Sequence, residues 1–121
     1  MVAFGVLISV QAHAKGNALL SACNKFDIVE SKTRQLTRTE YFEVGQCLGV
    51  VTAVRETLRN LSPMLIPVLL VCMLGEGVSN RQAVQIAVKF LRGSPGMPRE
   101  DEASLVMRAF HEAYPCPITT P

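Results

Sequence analysis

The chain has 121 residues, room for one small domain, and 49% of them are hydrophobic, enough for a packed core. A formal charge of +2, with basic residues spread along the chain, excludes the concentrated basic patch of a nucleic-acid binder. The four cysteines, Cys23, Cys47, Cys72 and Cys116, stand far apart, which excludes a CxxC redox motif or a zinc ribbon.

Met1 to Val10 is apolar and uncharged, and Ala12-His13-Ala14 follows it. Small residues flanking a variable one match a signal-peptidase site, so residues 1–14 read as an export leader cleaved after Ala14. The positively charged start of such a leader is missing: either the start is assigned too far downstream or the N-terminus is incomplete. The alternative reading is a buried first helix, and the run is too short to span a bilayer. With export, an even number of cysteines in a short chain reads as two disulfides in an oxidising compartment. Residues 15–121 then form a single helical domain.

Asn17 can cap a short helix with Leu19, Leu20, Cys23 and Phe26 on one side. Asp27 to Arg38 is polar and aperiodic, and reads as a loop with one turn. Thr37 followed by Glu40 is a capping-box pattern opening the longest helix, to about Asn60. Its apolar stripe is Tyr41, Val44, Cys47, Leu48, Val51, Val54 and Leu58. Gly45, Gly49 and Ala53 share another face. A glycine inside a helix costs about 1 kcal/mol relative to alanine. Two of them predict close approach of another helix backbone within the fold, with a binding groove as the alternative.

Ser62-Pro63 ends that helix. Met64 to Leu74 is almost wholly apolar and is broken by Pro67, so it reads as a buried connector or short helix, or else as an exposed patch for self-association. Ser79 and Gln82 form a second capping box. Ala83, Val84, Ala87, Val88 and Leu91 recur at helical spacing, with Arg81, Gln85, Lys89 and Arg92 opposite. Gly93 is placed for a left-handed C-terminal residue, and Pro95 prevents continuation. A last helix is expected from about Pro98, with Glu100, Asp101 and Glu102 at its positive end and an apolar face of Leu105, Val106, Ala109, Phe110 and Ala113.

The short link between these two helices predicts an antiparallel hairpin, which brings the chain before the first beside the chain after the second. Of three connectivities, this geometry selects Cys72–Cys116 and leaves Cys23–Cys47. The tail after Cys116 should fray. The fold class is therefore all-α, a small bundle of about four helices stapled by two disulfides.

No residues gather for catalysis. His111 is the only histidine after the leader and falls on a polar helix face beside Glu112. No nucleophile elbow, phosphate loop or metalloprotease motif occurs, so the chain reads as a non-enzyme without metal or cofactor.

Several short motifs nevertheless run in order along the chain: Asn17-x-Leu19-Leu20-x-x-Cys23; Gly45-x-Cys47-x-Gly49; Cys72 followed by Gly77-Val78-Ser79-Asn80-x-Gln82; Lys89-Phe90-Leu91-x-x-x-Pro95; and Ala109-Phe110-x-x-Ala113-Tyr114-Pro115-Cys116. Together, over about Asn17 to Cys116, they resemble the Rap/Tai family of immunity proteins, which protect bacteria against cell-wall amidase effectors delivered by type VI secretion. Ala53 departs from the pattern, standing where the family often has a further glycine. The resemblance implies a periplasmic protein that binds its cognate amidase, occludes the active-site cleft and has no catalytic residues. Such proteins can act as homodimers, and Met64–Leu74 is a candidate contributor. The expected partner-binding surface is the exposed face of the third helix and the turn after it: Arg81, Gln85, Lys89, Arg92 and Ser94. The alternative function is a small periplasmic helical chaperone or stress protein working through exposed apolar surface.

Overall fold

A computed structural model describes residues 15–65, 71–72, 77–94 and 100–117. Its elements are α1 (Lys15–Ser31), α2 (Arg38–Leu61), a single 3-10 turn (Ser62–Met64), α3 (Asn80–Arg92) and α4 (Glu102–Ala113). The expected leader at 1–14, the Pro95 stop, much of the Met64–Leu74 run and the end of the tail lie outside the described residues.

The four helices share one core. α1 contributes Leu19, Cys23 and Phe26, α2 Val44, Cys47, Val51 and Leu58, α3 Ala83, Val84 and Ala87, and α4 Leu105, Val106 and Phe110. Among the described residues, no polar or charged residue is buried. The apolar stripes at helical spacing therefore close on one another without polar groups needing compensation.

Both disulfides form as the hairpin argument requires. Cys23–Cys47 clips α1 to α2, and Cys72–Cys116 joins the chain before α3 to the chain after α4. The second clasp is reinforced by an antiparallel bridge between Val71 and Pro115 and by the Cys72 N–H donating to the Tyr114 carbonyl at 2.9 Å.

Both capping boxes are present. The Ser79 hydroxyl accepts from the Gln82 N–H at 3.2 Å, and the Gln82 side chain accepts from the Ser79 N–H at 3.0 Å. Thr37 and Glu40 exchange the same bonds at 3.2 and 3.0 Å.

The Glu40 carboxylate also takes a two-pronged ion pair from Arg34, at 2.7 and 3.1 Å. Arg34, then the Thr37 N–H, hold its pKa down at about 2 from the ordinary 4.5. A depressed carboxylate favours the fold above its unfolded-state pKa and loses that contribution as pH falls from about 4.5 through about 2. Glu40→Gln should therefore flatten the acid limb of a thermal-stability profile between those values and leave the neutral-to-alkaline limb parallel to that of the parent protein.

Five expectations need correction. α1 is not short: it runs on through Ser31, because Ile28 and Val29 pack partly against the core and extend the buried face. Gly93 is right-handed, with φ −82°; its N–H donates to the Lys89 carbonyl at 3.2 Å and the Ser94 N–H to the Leu91 carbonyl at 3.3 Å, so the turn closes without a left-handed residue. α4 begins at Glu102, capped by Asp101, whose carboxylate accepts from the Ser104 N–H at 2.9 Å. Tyr41 is 50% exposed, although it falls on the apolar stripe of α2. Finally, among the described residues no other helix covers Gly45 and Gly49: a methyl group added at either meets nothing within 4 Å.

Candidate functional site

α3 has a single amphipathic pattern. Its apolar face is sunk in the core, and Arg81, Gln85 and Lys89 stand exposed on the outside with Arg92. What makes this face usable is how firmly α3 is held. At its start, the Arg55 guanidinium of α2 donates to the Val78 carbonyl at 2.9 Å and to the Asn80 side-chain oxygen at 2.8 Å. At its end, Arg92 donates to the Asn24 side-chain oxygen of α1 at 2.8 Å. With both ends tethered, the exposed side chains project from a backbone that has little freedom left to lose on binding.

Two shallow grooves flank this ridge. On the α1 side, Asp27, Val84, Gln85, Val88, Lys89 and Arg92 line a groove of 310 Å³. On the α4 side, Ile86, Lys89, Phe90, Ser94, Ala109 and Glu112 line another, of 440 Å³. Lys89 sits on the crest and borders both. Of the five residues expected from the sequence, Gln85, Lys89 and Arg92 therefore come together on one groove. Ser94, half-buried, faces the other flank and meets them only through Lys89. Arg81 lies one helical turn before Gln85.

Arg92 is partly committed, since it braces α1. The Lys89 and Gln85 side chains form no hydrogen bond or ion pair among the described residues, so a partner would find them with only water to displace.

Sequence reasoning missed Asn24, Asp27 and Glu112 as neighbours of this surface. The aperiodic sequence places Asp27 in a loop; the longer α1 turns it into a helical residue alongside α3. The available signal was the weak spacing of Phe26 with Val29, which is hard to read amid so many polar residues.

The arrangement suits recognition. A cationic crest stands between grooves carrying a carboxylate on either side, Asp27 and Glu112. Among the described residues, no cluster of His, Cys, Asp or Glu could hold a metal ion. His111 is exposed on α4 and Glu112 is its neighbour, as the periodicity placed them. No described helix is long and apolar enough to cross a membrane.

Neither the comparison with curated proteins nor that with solved structures gives a match. The family model for Rap1a immunity proteins matches residues 15–116, spanning α1 to the closing cysteine. This agrees with the Rap/Tai resemblance carried by the ordered motifs, and the chain belongs to the Rap1a immunity protein family.

Proposed function

We propose that this chain is a periplasmic immunity protein that binds a cell-wall amidase delivered by type VI secretion and blocks its cleft. The observation that carries the reading is the family match over residues 15–116, joined to a ridge on α3 that is braced at both ends. The two disulfides are consistent with an oxidising compartment, in keeping with export through residues 1–14. Obstruction needs no chemistry from the inhibitor: a rigid ridge with a charged crest fills the cleft and excludes the substrate. Self-association of two copies is part of the same reading.

The test uses the purified protein and a papain-like amidase encoded in the adjacent reading frame, with peptidoglycan amide cleavage as the readout. The expected result is full inhibition near equimolar ratio. Lys89→Glu should weaken inhibition by roughly 30-fold or more, as loss of a central anchor does. It should move thermal stability little, because the side chain is exposed and unpaired. An amidase that stays fully active in excess protein would remove the proposal. Undiminished inhibition by Lys89→Glu would remove α3 as the contact surface.

A further inference from the structure

The two disulfides stand in opposite surroundings. Cys23 and Cys47 are 0% exposed and belong to the core shared by the four helices. Cys72 is exposed, Cys116 is half-buried, and neither is part of that core. Their bond lies at the mouth of the α3–α4 hairpin and closes a loop with a sequence separation of 44. Among the described residues, the backbone contacts that back it are the Val71–Pro115 bridge and the Cys72 N–H to the Tyr114 carbonyl. Val71 and Pro115 also edge a groove of 830 Å³ that passes Phe90 of α3 and Met107 of α4.

The helices on either side of this clasp have supports of their own. α3 carries its capping box, buries Ala83, Val84, Ala87, Val88 and Leu91, and is tied by Arg55 at its start and Arg92 at its end. α4 is capped by Asp101 and buries Leu105, Val106, Ala109 and Phe110. Cys23–Cys47 keeps α1 on α2. A break between Cys72 and Cys116 therefore removes a constraint at the hairpin's mouth and leaves the packed helices their core.

We propose that Cys72–Cys116 is a thiol–disulfide exchange site, attacked at the Cys72 sulfur by a dithiol, and that its opening is confined to the mouth of the hairpin. Exchange requires a thiolate to reach one sulfur of the bond it breaks. Cys72 is the more exposed of the pair, so the incoming thiolate bonds to Cys72 Sγ and Cys116 leaves as a thiolate, which takes up a proton. The second thiol of the reagent loses its proton and attacks the reagent's own sulfur in the mixed disulfide, releasing Cys72 as a thiol. The dithiol gives up two electrons and two protons and becomes a disulfide; the clasp gains both and becomes two thiols. Cys23–Cys47 has no such route in the folded chain, because reaching it requires α1 and α2 to separate. The protein thus has two folded oxidation states. In the open one the groove is no longer closed off at Val71 and Pro115.

The probe is glutathione, a monothiol, which has no second thiol with which to resolve the mixed disulfide. The native protein is incubated with reduced and oxidised glutathione, quenched in acid, alkylated and mapped by peptide mass. The expected result is glutathione on Cys72, the alkyl group on Cys116, and exchange at Cys23–Cys47 at least about 100-fold slower. Dithiothreitol then drives the clasp to two thiols. Helical circular dichroism should persist, the amide at position 72 should exchange faster with deuterium, and the α3 amides should keep their protection. The melting temperature should fall by roughly 15–25 °C. The double variant Cys72→Ser with Cys116→Ser is fixed open and should behave alike, with no glutathione at the mouth. No adduct, or equal rates at the two disulfides, overturns the exchange site. An adduct chiefly on Cys116 overturns the point of attack. Loss of α3 protection in either opened form overturns the confinement. No amidase is present, so the outcome stands apart from that of the proposed function.

Discussion

Replacing Cys23 and Cys47 together by alanine should lower stability by about 4 kcal/mol and the melting temperature by roughly 15–25 °C, the scale for a chain of this size. The two cysteines are 24 residues apart in sequence and both are 0% exposed. Closing a loop of that length contributes about 3.5 kcal/mol through the entropy of the unfolded chain. Removing two buried sulfurs adds the cost of the space they vacate between α1 and α2. The other disulfide closes a longer loop, with a separation of 44, and the same reasoning assigns it about 4 kcal/mol. Its surroundings differ: Cys72 is exposed and Cys116 half-buried. Thiol–disulfide exchange requires access for the attacking thiolate, so graded dithiothreitol should open Cys72–Cys116 first. Alkylation followed by peptide mapping reads the order. Cys23–Cys47 opening first, or both together, would mean that the α1–α2 seam is looser than its burial indicates.

Phe110→Ala should be the costliest single apolar truncation, at about 3–5 kcal/mol. Among the described residues Phe110 is the largest fully buried side chain, 0% exposed, on α4, which packs chiefly against α2 and α3. A chain of this size has little stability to spare, so the variant should be largely unfolded near 37 °C or survive only through its disulfides. Urea denaturation followed by circular dichroism measures the loss. Phe42→Ala is the internal control. At 68% exposed it removes little burial, and the stability of the isolated fold should stay within about 0.5 kcal/mol of the parent. If Phe110→Ala and Phe42→Ala cost the same, the core has been placed wrongly.

The helices were legible because their signals are short-range. Ser79 with Gln82 and Thr37 with Glu40 announce a helix start within four residues, and the structure contains both reciprocal pairs. The apolar positions of α3 all turned out buried. The cysteine pairing followed from hairpin geometry, since a short link leaves few places for Cys72 and Cys116 to go. Boundaries were less legible. Whether α1 stops near Asp27 or continues to Ser31 depends on what Ile28 and Val29 find across the core, and no local motif encodes that.

The candidate surface was legible only as a stripe. Arg81, Gln85, Lys89 and Arg92 share a helical face by spacing alone. That Arg92 braces Asn24 depends on the placement of α1, 68 residues away in sequence. Gly45 and Gly49 show the limit most clearly. Their spacing says that something comes close, another helix of the fold or the occupant of a binding groove. Among the described residues that face stays open, and nothing comes within 4 Å of a methyl group added at either glycine.

The chain's order of residues alone determined four helices, their caps, their apolar stripes, two disulfides and membership of an immunity family, because periodicity, capping and motif order are properties of neighbouring residues. Only the tertiary structure decided which faces stay exposed, how α3 is held and where the open surface of α2 lies. Burial is a relation between segments distant in sequence, and a residue's own helix cannot say what, if anything, will cover it.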